Sequence, residues 1–289
     1  MSRARHKKHR RKAEPPRRGR CASLRLAAAI LVAVALVGSV LGGALLFRDL
    51  ATGGGGPKAA AIVDQLSLTQ PNPDFAASAT SLLEQAGYRV DYYPGEQVTV
   101  DFYRSLPTHG YDLIILRVHS GITSEVDEAT GQKTNREYVG VFTSEPYSDT
   151  KYPDDMRVRP GEPTARLGKS EYYEGAPPLF GIAPAFVQYG MKGKFDKALI
   201  LLMGCDGLRA HTTAQAFLDK GAEAFVSWSK PVSASHTDAA TLRLLQDLLV
   251  DGLTVGQAVA ETMADVGPDP TYESSLLFYP PDGGDIGLR

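Results

Sequence analysis

His119 and Cys205 each follow a run of apolar residues, in LIILRVHSG and in ALILLMGCDG. An imidazole and a thiol at the ends of two such runs can form a dyad. The imidazole lowers the thiol pKa or takes its proton, and the thiolate attacks a carbonyl carbon. A free cysteine is more often a small buried hydrophobe, and a lone histidine more often structural. What sets these two apart is that each stands just past an apolar strand, where catalytic groups of open α/β sheets collect.

The elements that would position them read off as apolar runs alternating with helical patterns. Strands are expected at Ala60–Asp64, Arg89–Tyr93, Asp112–Val118, Ala198–Gly204, Ala224–Trp228 and Ser275–Tyr279. Helical spacing links Phe75, Ala79, Leu82, Leu83 and Ala86, with Gly87 as a stop. Thr212–Lys220 is a second helix, with Ala214, Phe217 and Leu218 inward. Leu242, Leu245 and Leu249 mark a third, and Thr254-x-x-Gln257 is a capping box opening a fourth, with Val255, Val259 and Met263 inward. Continuously apolar strands between helices predict a mostly parallel sheet with helices on both faces. The roughly 80 residues between the third and fourth strands exceed a plain crossover, so an insertion at about 122–197 is expected, with a hairpin around Glu137–Phe142.

The chain has 31 Lys plus Arg and 33 Asp plus Glu, but the net charge of −2 conceals a split. Residues 1–25 carry three Lys, eight Arg and one acid, a net +10, and the remainder is −12. Between them residues 26–47, LAAAILVAVALVGSVLGGALLF, hold no charge. As a helix this stretch reaches roughly 33 Å, enough to cross a hydrocarbon core of about 30 Å. It is longer than a cleavable signal's apolar region and lacks a small-x-small site, so an uncleaved signal anchor is expected. Cations before the span place the amino terminus in the cytoplasm and residues 59–289 outside it. The tail, too polar to fold, is read as an orientation signal meeting anionic lipid, with no nucleic-acid partner expected. Residues 48–58 form a Gly-rich linker, not a phosphate loop, because no strand precedes the glycines and no Gly-Lys-Ser/Thr follows. With Cys21 on the cytoplasmic side, Cys205 has no disulfide partner, and an exposed compartment gives an unpaired thiol little reason to persist without a use.

The two blocks resemble those of the caspase-like cysteine peptidases, the group of caspases, metacaspases, gingipains, legumains and CHAT domains. In that group one apolar strand ends in His-Gly and another in a small residue and Cys. The segment AFLDKGAEAFVSWSKPVSASHTDAATLRLLQDLL is also similar to the CHAT and gingipain run. The resemblance spans Ala60 to about Met263, is specific in Asp112–Gly121 and Ala198–Leu248, and is weak across the insertion. It implies a three-layer α/β sandwich, with Cys205 as nucleophile and His119 as general base and acid. The oxyanion hole would come from the backbone N–H groups of Cys205 and of Ser120, which stands where the family has Gly, with Gly121 one later. The specificity pocket would draw on Asp64 and on Ser227, Trp228 and Ser229. A carboxylate at Asp64 would favour Lys or Arg in a peptide or protein substrate. Asp64 reads equally well as a turn or cap residue, and Trp228 as core.

Other polar residues carry less. His211 is expected to precede or cap the helix at Thr212, and His236 to sit on a solvated surface. Asp154-Asp155 and the Asp282–Asp285 tail lack the spacing of a calcium loop, and no His/Cys cluster suggests zinc, so no metal or cofactor is expected. Three functions fit: a membrane-anchored extracytoplasmic cysteine peptidase, a catalytically inactive binding ectodomain on the same fold, or a thiol acyl transferase or transpeptidase.

Overall fold

The computed structural model describes residues 57–126 and 133–288. The basic tail, the apolar stretch 26–47 and nearly all of the linker lie outside the described residues, as does the segment 127–132. Among the described residues no helix is long and apolar enough to cross a membrane.

The folded unit is mixed α/β around a mostly parallel sheet. Its strands are β1 (Ala59–Asp64), β2 (Arg89–Pro94), β3 (Leu113–Arg117), β8 (Leu199–Leu202), β9 (Ala224–Trp228) and β10 (Leu276–Tyr279). In space they run β10-β9-β8-β3-β1-β2, all parallel except β10, which pairs antiparallel with β9 at the edge. The chain lays β2 on one side of β1 and then crosses to lay β3 on the other. The order therefore reverses between β1 and β3, where crevices open at the carboxy ends of such sheets. Register aligns those ends: Asp64 pairs with Arg117, Leu116 with Leu202, and Leu202 with Ser227. The β1, β3, β8 and β9 strands are buried throughout, as their apolar runs require.

Alternate side chains feed two cores. Ala60, Ile62, Leu113, Ile115, Leu199, Leu201, Val226 and Trp228 meet α1 (Pro73–Gln85), α4 (Ala234–Leu249) and α5 (Val255–Asp265). Ala61, Val63, Ile114, Leu116, Ile200, Leu202 and Phe225 face the other way, toward α2 (Val100–Ser105), α3 (Thr212–Asp219) and the insertion. Asn72 caps α1 by accepting the Phe75 N–H at 3.1 Å, Pro73 opens the helix, and Gly87 follows it at φ +85°. The Thr254–Gln257 capping box forms with both hydrogen bonds in place.

The insertion departs most from expectation. It begins at Ser120, directly after His119, and builds a second, antiparallel sheet of β4 (Ser120–Val126), β5 (Lys133–Pro146), β6 (Leu167–Ser170) and β7 (Leu179–Ile182), ordered β4-β5-β7-β6. Glu137–Phe142, where a hairpin was expected, lies within the single strand β5, which pairs antiparallel with β4 in register Gly121 to Gly140 and Thr123 to Tyr138. The helix α2 was not expected: it has only six residues, started by the Thr99 hydroxyl accepting the Phe102 N–H.

Candidate functional site

The end of β3 positions everything else. Strand alternation turns Arg117 toward the α1/α4 face, the same side as Leu113 and Ile115, with no exposed surface. A buried guanidinium needs carboxylates, and two converge on it. Nε and Nη2 bond bidentately to Asp238 of α4 at 2.7 and 2.9 Å, and Nη1 bonds to Asp64 at 2.8 Å. Nη2 also reaches the Gln70 carbonyl at 2.9 Å, and the Phe75 ring lies 5.4 Å away. Burial pulls the Arg117 pKa down, but the hydrogen bonds and charges of Asp238 and Asp64 outweigh it and hold the cation. Asp64 accepts a further bond from the Tyr92 hydroxyl at 2.9 Å, and Asp238 one from Asn72 at 2.8 Å. This corrects the reading of Asp64 as an open pocket carboxylate: it is buried, and both of its oxygens are engaged inside the protein.

Two residues on, His119 is half-buried. Its N–H donates to Gln65 Oε1 at 2.9 Å, and its carbonyl accepts the Phe142 N–H at 2.9 Å. The ring Nε2 lies 3.2 Å from Thr69 Oγ1. Tyr172 covers the ring at 4.4 Å between centroids, and Phe142 stands at 6.0 Å. Burial, helped by the nearby Arg117 charge, pushes the imidazole pKa down to about 4, so the ring is neutral at pH 7.

Cys205 follows β8 by way of Met203 and Gly204. A Cβ at Gly204 would collide with Ser120 Oγ and the Val118 carbonyl, so glycine is what lets the two strand ends approach. Ser120 Oγ donates to the Cys205 carbonyl at 2.6 Å and ties the loop after the histidine to the loop carrying the thiol. The sulfur accepts the Val232 N–H at 3.5 Å and faces the Val232 carbonyl at 3.7 Å. Burial raises the thiol pKa above its ordinary value, offset in part by the Val232 backbone and reinforced by Asp206 and Asp269. Asp206 takes φ +60°, and its N–H bonds to the Lys230 carbonyl at 3.0 Å, turning the chain sharply just past the sulfur. Among the described residues, no hydrogen bond joins the Cys205 sulfur to the His119 ring.

Ser120 and Gly121 open β4 opposite Val141 and Gly140. Neither has a positive φ, so serine is under no backbone strain where the resembled family has glycine. The Ser120 amide nitrogen faces Gly204, 3.0 Å from where a Cβ would stand, which brings it beside the approach to Cys205.

Of the expected pocket residues on and after β9, Ser227 and Trp228 lie in the interior and Ser229 is half-buried. Ser227 Oγ donates to the Leu202 carbonyl at 2.6 Å with no exposed surface. Trp228 is core, its indole N–H donating to Thr237 at 2.8 Å. Ser229 pairs with Ser275, through Ser229 N to the Ser275 carbonyl at 2.9 Å and Ser275 N to Ser229 Oγ at 3.0 Å. His211 stands at the N-cap position of α3 without a side-chain capping bond, its ring 4.9 Å from Tyr279. His236 is half-buried rather than solvated, 5.4 Å from Trp228 with Nε2 3.1 Å from the Gly267 carbonyl. Asp155 is held by Arg104, Arg159 and Arg166. Among the described residues no group of three or more His, Cys, Asp or Glu is placed to hold a metal ion.

Sequence reasoning missed Arg117, Asp238, Gln65, Thr69 and Tyr172. One signal was present: a charged residue inside an otherwise apolar run must find a buried partner. The chain matches no protein-family model, and no curated protein is significantly similar to it.

Proposed function

We propose that the chain is a membrane-anchored, extracytoplasmic thiol hydrolase of caspase-like architecture, with Cys205 as nucleophile and His119 as general base. The observation that carries this reading is the Ser120–Cys205 tie. It fixes the ends of neighbouring strands β3 and β8 against each other, with an imidazole one residue before it and a thiol on the accepting residue. In the reaction the thiol proton passes to His119 as sulfur bonds to the carbonyl carbon of a peptide. His119 then returns the proton to the leaving amine, and water releases the acyl group. The Ser120 amide, beside Gly204, is the candidate donor to the oxyanion. Because Asp64 is occupied by Arg117, it supplies no ground for a Lys or Arg preference.

The test is labelling of the full-length chain with a panel of peptidyl electrophiles of differing terminal residues. Cys205 should be modified, and both Cys205→Ala and His119→Gln should abolish the reaction. Labelling indifferent to His119 refutes the dyad. One observation favours a second reading, a binding ectodomain without catalysis: the sulfur bonds to the Val232 backbone and not to the imidazole. Failure to label under any peptide sequence would support it.

A further inference from the structure

Resting on the reading of His119 as a base, we infer that Gln65 is its positioning residue. Gln65 begins the turn after β1 and has no exposed surface. Its amide makes directed contacts with three separate segments. Oε1 accepts the His119 N–H at 2.9 Å. Nε2 donates to the Tyr172 hydroxyl at 2.7 Å and reaches the Thr143 carbonyl of β5 at 3.5 Å. An apolar side chain would fill the same space, whereas a buried amide is retained at a cost unless its bonds are satisfied. Here the bonds converge on one residue: one grips the His119 backbone, and another holds the Tyr172 ring against its imidazole. The same turn leads to Thr69, whose hydroxyl meets Nε2. For Nδ1 to take a thiol proton, Nε2 must carry the ring hydrogen, and Thr69 Oγ1 is the acceptor in place for it. Gln65 thus fixes where the ring stands and which surface of it stays dry, without touching substrate.

The experiment uses the full-length chain in a Cys21→Ser background, so that modification reports Cys205 alone. Inactivation by a peptidyl electrophile is followed across pH to separate the maximal rate of inactivation from the affinity for the reagent. Gln65→Ala should lower the maximal rate about tenfold or more, the usual scale for groups that orient a functional imidazole, with affinity unchanged. Gln65→Glu, which still accepts the His119 N–H and can accept from Tyr172, should recover part of that rate and move the acid limb to higher pH. Tyr172→Phe keeps the ring and removes only the hydroxyl that Gln65 holds, and should give a smaller fall in maximal rate. If Gln65→Ala does not fold, Tyr172→Phe decides. A wild-type maximal rate and acid limb in the folded variants overturns this role, provided His119→Gln abolishes labelling in the same assay. If His119→Gln labels normally, the dyad itself has failed, a result distinguishable from failure of the positioning role.

Discussion

Replacing Arg117 with Met tests the account of the site's foundation. The substitution roughly preserves the volume of the side-chain stem and removes a cation that bonds two carboxylates and a carbonyl. Removing one partner of a buried ion pair costs about 3–5 kcal/mol, because the other is left charged and unpaired. Two features hold the loss within that range although two carboxylates are stranded: Asp64 keeps the Tyr92 hydroxyl and Asp238 keeps the Asn72 amide. For a folded unit of this size each kcal/mol moves the melting temperature by roughly 2–4 °C, so a drop of about 6–20 °C is expected. Urea unfolding of the chain, followed by fluorescence, reads the free-energy loss, and a thermal melt reads the shift in midpoint. The only tryptophan, Trp228, is buried and bonded to Thr237, the residue immediately before Asp238 on α4. A triple variant, Arg117→Met with Asp64→Asn and Asp238→Asn, should regain much of the loss, since the penalty lies in unpaired charge and not in lost attraction. If Arg117→Met lies within about 1 kcal/mol of the parent, far below the range for a broken buried pair, or the triple variant is no more stable than the single, the charges are better solvated than the geometry implies and the reasoning fails.

His119, depressed to about 4 from an ordinary value near 6.5, makes stability pH-dependent in a defined sense. The unfolded chain binds a proton there before the folded one does. The contribution is therefore fully present above pH 6.5 and is lost as pH falls from 6.5 through 4. Denaturation of the parent and His119→Gln at a series of pH values should show a slope between those limits that the variant lacks, and equal slopes would contradict the burial of the ring. Gly204→Ala should destabilise by about 1–3 kcal/mol, the scale of an overpacked core, because its Cβ meets Ser120 Oγ and the Val118 carbonyl. Thermal unfolding measures it, and an unchanged midpoint would mean the two strand ends are not as close as described.

The central strands were legible because burial on both faces forces a continuous apolar run, and LIILR, LILL and AFVSW have no competing reading. The Thr254–Gln257 box was legible because its signal is local. The insertion's short strands were not: Leu167–Ser170, LGKS, carries no alternation, and it exists because it pairs with β7. The two candidate residues, His119 and Cys205, could be picked out from strand ends alone. Their surroundings could not, since Arg117 and Asp238 are joined across 121 positions and Gln65 and Tyr172 across 107. The misassignments share one cause. Asp64 and Ser227 do lie at the strand-end rim where pockets form, but the register and alternation of the sheet turn them to partners inside the fold; Trp228 is core, the reading its sequence context favoured.

The electrostatics also bear on how the proposed dyad would work. With the thiol above its ordinary value and the imidazole at about 4, both shifts act against a resting thiolate–imidazolium pair. Their mutual attraction becomes large only at contact in a water-poor site, and no hydrogen bond joins the two groups among the described residues. A working dyad therefore needs the sulfur and the ring to approach when substrate fills the crevice, with proton transfer coupled to carbon–sulfur bond formation rather than preceding it. The two anchors differ in strength. His119 is held at its N–H, its carbonyl and its ring by Gln65, Phe142, Thr69 and Tyr172. Among the described residues the Cys205 sulfur is held by two long contacts to the Val232 backbone, and a thiol is a weak donor and a weak acceptor. Rotation about the Cys205 side chain breaks those two contacts and leaves the Ser120–Cys205 backbone tie intact, whereas moving the ring would dismantle the buried Gln65 network. In the proposed dyad, then, the thiol is the member freer to move and the histidine the more firmly anchored one.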